Sequence, residues 1–203
     1  EKFSKSRGVG VTAEQILKQF DTDRVRYYLT AIAPEGKDTA FTWEDFIQRN
    51  NDELSDVIGN FAHRVFTFTE KNFESKVPEG AANSPFEPEV LQVIENARKG
   101  WASALERQKF REALDTVVKL ARNGNRIFDA AQPWKSRKED PVACGADLAA
   151  LLELVHAVAV LLLPFGDEPQ CQQPLDIISY SRGTYTKKNR IMSDINDDNA
   201  KRL

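Results

Sequence analysis

The sequence predicts an all-α fold, an antiparallel bundle of long helices. From Phe46 to Phe68, apolar residues (Phe46, Ile47, Leu54, Val57, Ile58, Phe61, Val65, Phe68) keep a helical period, as the buried stripe of an amphipathic helix does. Strand signals are nearly absent, and the periodic segments are separated by polar turns such as ESKVPEGAANSPFEPE (74–89). Helices of this kind, joined by turns, pack antiparallel with crossing angles of about 20°.

The elements follow in order. Thr12 with Gln15 three positions on is a capping-box pattern that opens a short helix facing Ile16, Leu17 and Phe20 inward. Asp21 is the expected cap of a second helix that stops at Pro34, and Glu35–Asp38 is turn-forming. Thr42 is the expected N-cap of the first long helix, with Asp45 in its first turn. A second long helix runs from Val90 through Ala97, Trp101 and Leu105, and a third from Phe110 through Leu114, Val117, Ala121 and Phe128. The fourth is Asp147 to Leu163, capped by Asp147 and preceded by a loop, QPWKSRKEDPVACG. From about Gly166 the sequence has no sustained period and reads as a tail.

Composition narrows the function classes. The chain has 203 residues, 41% of them hydrophobic, which is enough for a sizeable core. Its net charge of −3 supplies no whole-molecule attraction to nucleic acid or to an anionic membrane, so a polyanion would have to be met by a local patch. Two cysteines, Cys144 and Cys171, are too few for a four-ligand zinc site or a disulfide scaffold, and the first residues have no apolar stretch of the secretory type. A reducing, cytoplasmic setting is the expectation. The apolar run 148–165 carries Glu153 and His156 and meets Pro164, which makes it a core helix rather than a membrane span.

Three groups of residues carry chemistry. In KFSKSRG (2–8), Lys2 and Lys5 offer point charges, and Ser4, Ser6 and Gly8 suit a loop that cradles phosphate oxygens; a solvated basic end has the same composition. On the first long helix Asn60 and Arg64 are four apart and share a face, with His63 beside them, while Phe61 and Val65 turn to the core. Such a polar stripe is ordinarily just a solvated face. Trp134, after Pro133, is either a stacking surface for an unpaired base or a ring folded back to plug its loop. Asn125 and Arg126 could extend that surface. Trp43 and Trp101 are packing residues, and His156 is expected as a satisfied core histidine rather than a metal ligand, since nothing at metal spacing accompanies it.

Set in order, KFSKSRGVGV, DRVRYYLTAIAPEGKDTAFTWEDFIQRNNDELSDVIGNFAHRV and AQPWK resemble the methionyl-tRNA synthetase family of class I aminoacyl-tRNA synthetases, from residue 1 to about residue 165. The first is similar to that class's KMSKS loop, with Phe3 where Met is commonest. The resemblance implies an ATP-dependent ligase that forms methionyl-adenylate and passes methionine to its tRNA. Lys2, Ser4, Lys5 and Ser6 would then be catalytic, with Lys2 and Lys5 holding ATP's phosphates as charge moves onto pyrophosphate. Asn60, Arg64, Pro133 and Trp134 would bind the anticodon. The partners implied are methionine tRNA and ATP, with Mg2+ in the complete enzyme and zinc only in an upstream part; no DNA, membrane or metal site is expected within this chain.

The division expected is residues 1–41 as loop and helical connector, 42–165 as the anticodon-binding bundle and 166–203 as an atypical tail. The family's nucleotide-binding half, with its HIGH signature, has no counterpart here, so the chain is expected to be a C-terminal part that makes no adenylate alone. Without the usual final helix, apolar surface on 148–163 is expected to be uncovered. The alternatives are another class I synthetase, which the Asn60/Arg64 helix together with Pro133–Trp134 disfavours, or a non-catalytic tRNA-binding helical module.

Overall fold

The computed structural model describes residues 12–36 and 38–166; Lys2, Ser4, Lys5, Ser6 and the stretch from 167 onward, with Cys171, lie outside them. Every regular element among the described residues is helical. Thr12 closes the predicted capping box on α1 (Ala13–Leu17), its hydroxyl accepting from the Gln15 N–H and the Gln15 side chain accepting from Thr12's. Asp21 precedes α2 (Thr22–Ala31) but makes no side-chain cap, because its carboxylate pairs with Arg24 at 3.5 Å.

Thr42 caps α3 (Trp43–Arg49), accepting from the Asp45 N–H at 3.2 Å. The predicted single long helix is helical throughout, yet it changes winding. Between α3 and α4 (Asn60–Asn72) lies a π-helical stretch, Asn50–Gly59, where the Asn60 N–H reaches back to the Ser55 carbonyl five residues earlier. The apolar spacing lapses only where this stretch begins, between Ile47 and Leu54, and resumes at Leu54, Val57 and Ile58 within it. Side chains also stitch the rewound segment: buried Asn50 donates to the Phe46 carbonyl at 2.8 Å, the Tyr27 hydroxyl donates to Glu53 at 2.8 Å, and Arg49 pairs with Asp45 and Glu53.

Next come α5 (Glu87–Glu106) and α6 (Phe110–Ala131). Sequence reading placed a loop after α6; the chain instead turns once at Gln132, which takes a left-handed φ of 44°, and re-enters a helix, α7 (Pro133–Glu139). Proline at the first helical position has no N–H to lose and a φ already suited to a helix. The same signal opens α8 (Pro141–Leu162), whose cap is Asp140, accepting from the Val142 and Ala143 N–H groups at 3.0 Å. Asp147 is therefore not a cap. It lies within α8, buried, and accepts from the Ser84 hydroxyl at 2.6 Å.

Helix α8 is the centre of the core, packed by α4, α5, α6 and α7. The stretch Pro141–Phe165 is long and apolar enough to cross a membrane, but its burial within the bundle marks it as a core helix. Against the expected uncovered face, Leu148, Leu151, Leu154, Val155, Val158 and Leu162 are buried, and exposure between 148 and 163 is confined to Glu153, His156 and Val160. His156 is thus a surface residue, not a core histidine. Trp101 donates to the Leu161 carbonyl at 3.0 Å, fastening α5 to α8.

A second apolar cluster (Ile16, Phe20, Val25, Tyr28, Phe46) joins α1, α2 and α3, with Trp43 and Phe41 packed on it edge to face. Polar bonds tie this connector to the bundle. The Glu35 carboxylate accepts the Arg111 N–H at 2.7 Å in the first turn of α6, and Lys109 donates to the Glu35 carbonyl at 2.9 Å. A carboxylate at a helix N-terminus satisfies an orphan donor and complements the helix dipole.

Candidate functional site

The site begins with a glycine. Phe61, fully buried on α4, lays its ring on Gly124 of α6; a Cβ there would stand 2.5 Å from Cε1 and 2.6 Å from Cε2, and nearer still to Cζ. The missing side chain lets the two helices approach closely. Short polar groups can then meet across the seam.

They meet around Asn125. Its Oδ1 accepts from Arg64 Nη1 at 3.2 Å and stands 3.5 Å from Asn60 Nδ2, while its own Nδ2 donates to the Val57 carbonyl at 3.0 Å and the Ala121 carbonyl at 3.3 Å. One turn further along α6, Asp129 accepts from Arg64 Nη2, and the Arg64 guanidinium lies over the Phe128 ring with its carbon 4.4 Å from the centroid. Trp134 flanks the same phenyl ring, centroids 6.2 Å apart and planes 41° from parallel, and it is 45% exposed. Phe68 of α4 supports the cluster edge to face, 6.5 Å from Phe128.

Of the sequence-predicted residues, Asn60, Arg64 and Trp134 thus share one surface, with Pro133 buried beneath it as the start of α7. Trp134 stands on a helix and not in a loop, and the backbone that fixes it is the Gln132 turn. Asn125 belongs to the cluster. Arg126 does not, because it points the other way and pairs with Glu89 of α5. His63 packs within 3.5 Å of the Thr67 hydroxyl on α4. Sequence reasoning missed Phe128 and Asp129, although their spacing of three and four from Asn125 puts all three on one face of α6.

The surface offers an exposed indole backed by the buried Phe128 ring, and beside it a partly exposed guanidinium with N–H groups to spare and a partly exposed amide, groups that can stack and donate hydrogen bonds. Nothing among the described residues suits a metal, since no three His, Cys, Asp or Glu side chains gather there. Burial raises the Cys144 thiol above its ordinary value, which leaves it protonated and unreactive. The loop residues Lys2, Ser4, Lys5 and Ser6 lie outside the described residues.

Comparison with known proteins gives this geometry its context. Residues 1–66 match the family described as tRNA synthetases class I (M), and residues 77–189 match the anticodon binding domain of methionyl tRNA ligase, a match that runs past the expected start of the tail at 166. A methionine–tRNA ligase of Pyrococcus abyssi is 41% identical over 165 residues, covering 81% of this chain and 23% of that relative. One from Bacillus cereus is 39% identical over 164 residues, covering 81% and 29%. The chain thus spans about a quarter of the length of these curated relatives. Among solved structures, Mycobacterium tuberculosis methionyl-tRNA synthetase bound by methionyl-adenylate superposes with a TM-score of 0.75 at 27% identity, covering 82% of this chain and 34% of that one. The chain belongs to the methionyl-tRNA synthetase family of class I synthetases, and its helical bundle has the fold of that family's anticodon-binding domain.

Proposed function

We propose that this chain is the anticodon-reading part of a cytoplasmic methionine–tRNA ligase, with residues 1–41 as phosphate loop and connector, 42–165 as the tRNA-binding bundle and 166–203 as a tail. The observation that carries this reading is the convergence of Arg64 from α4 and Trp134 from α7 on the ring of Phe128. A base splayed from the anticodon loop stacks on the exposed indole, and sequence-specific recognition of RNA targets such unpaired bases. The guanidinium reads its edge. Cytosine presents two acceptors there, N3 and O2, whereas uracil places an N3–H donor between acceptors, so an arginine that can only donate selects cytosine.

In the complete enzyme, with ATP and Mg2+ as co-substrate and ion, Lys2 and Lys5 hold the negative charge that moves onto pyrophosphate during adenylate formation, and Ser4 and Ser6 shape the loop. Zinc, DNA and membrane have no part in this portion. The test is binding of the chain to a CAU anticodon stem-loop and to one whose first anticodon base is uracil. The expected result is preference for CAU, and a fall of about 10- to 100-fold in CAU affinity for Trp134→Ala, the range for losing one base stack. Equal binding of both stem-loops by the unaltered chain overturns the reading.

A further inference from the structure

We infer that Asn125 is a positioning residue that sets the selectivity of this surface without touching the base; this rests on the anticodon reading above. The amide is held in one orientation. Both of its N–H donors are taken by backbone carbonyls, Val57 at 3.0 Å and Ala121 at 3.3 Å. A flipped amide would set its oxygen against those two carbonyls and its NH2 against the Arg64 guanidinium, donor against donor. Only the observed orientation leaves an acceptor for Arg64 Nη1 at 3.2 Å.

The acceptor Val57 belongs to the π-helical stretch Asn50–Gly59. A helix whose ladder is rewound is where an outside donor can reach a main-chain carbonyl, and such stretches recur at functional sites. The winding change between α3 and α4 thus has a use: it presents the carbonyl that orients Asn125, which orients Arg64. Phe128 beneath and Asp129 beside the guanidinium hold its remaining freedom. With Asn125 in place, the guanidinium turns its spare N–H groups outward. Without it, the group pivots on the phenyl ring toward Asp129 and the base loses its reader.

The experiment titrates the full chain with the CAU stem-loop and its uracil counterpart. Asn125→Ala is expected to lower the ratio of the two affinities about tenfold, in keeping with loss of a hydrogen bond to a charged group, with uracil-loop affinity unchanged. Added to Arg64→Ala it is expected to change nothing further, since the two residues act as one unit. Asn125→Ser, whose hydroxyl can donate to the carbonyl four residues back and accept from Arg64, is expected to restore part of the ratio, and it replaces the alanine variant if that does not fold. Parallel loss of both affinities, or losses that multiply with those of Arg64→Ala, would mean a merely structural role and overturns the inference. A ratio unchanged by the Asn125 substitutions in a chain that discriminates overturns this inference alone; an unaltered chain that does not discriminate overturns the anticodon reading with it.

Discussion

Phe61 and Gly124 are in contact ring to backbone, with no space for a methyl group between them. Gly124→Ala is therefore expected to push the buried ring or the helix aside and to destabilise the bundle by about 1–3 kcal/mol, the usual cost of overpacking a core. Denaturant unfolding measures this. Adding Phe61→Leu should return part of the loss, and strictly additive effects would show that the two residues do not collide.

Arg64→Lys tests whether shape or charge is read. Lysine keeps the charge but has no planar fork to span Asn125 and Asp129, and it stacks less well on Phe128. Affinity for RNA at low salt should survive while preference for CAU disappears. Retention of full preference by the lysine variant would exclude fork geometry as the source of selectivity.

Burial raises the carboxyl of Asp147 above the ordinary carboxylate value, a shift that the Ser84 hydrogen bond partly opposes. A carboxyl raised on folding binds its proton more tightly in the native state. Its contribution is thus favourable at acid pH and is lost as pH rises from the unfolded value through the folded one. Asp147→Asn, which has no charge to desolvate and can still accept from Ser84, should flatten that dependence and be more favourable relative to the native chain at pH 7 than at pH 3. Unfolding free energies at the two pH values check it; an unchanged difference would remove Asp147 from the pH response.

Glu35→Ala removes the carboxylate that accepts the Arg111 N–H at the start of α6. A lost helix cap of this kind costs about 1 kcal/mol, seen as a lower unfolding midpoint. Glu35→Gln, which retains an acceptor, should lose less, and equal losses would point away from the hydrogen bond.

Lys5→Ala in the complete enzyme is expected to slow adenylate formation about a hundredfold or more, as loss of one well-placed donor to developing charge does. Pyrophosphate exchange at the native rate would remove Lys5 from the mechanism.

What could be read in the sequence was what is local. Thr12 with Gln15, and Thr42 with Asp45, are caps made within one turn, and Asn60, Arg64 and Phe61 fall on their faces by helical spacing alone. The start of α8 was hidden because Asp147 has the residue type of a cap, and only Ser84, distant in the chain, shows what its carboxylate binds. His156 read as core because its neighbours are apolar, yet the helix turns it outward. Phe128 read as one more apolar residue of its helix, and Asp129 carried no signal at all. Their meaning comes from Arg64 and Trp134, which three-dimensional packing brings to the same ring.

Helix α6 begins at the Glu35 latch and ends at the Gln132 turn, with 22 residues between. At 1.5 Å a residue that is a rod of about 33 Å, and each residue rotates the next by about 100°. The connector and the Phe128–Trp134 surface are therefore indexed to opposite ends of one screw. Removing a single residue from its middle would leave both ends locally sound but swing Phe128, Asp129 and the following Trp134 about 100° around the axis, away from Arg64 on α4, so the length of this rod holds the cluster together as much as the side chains in it do.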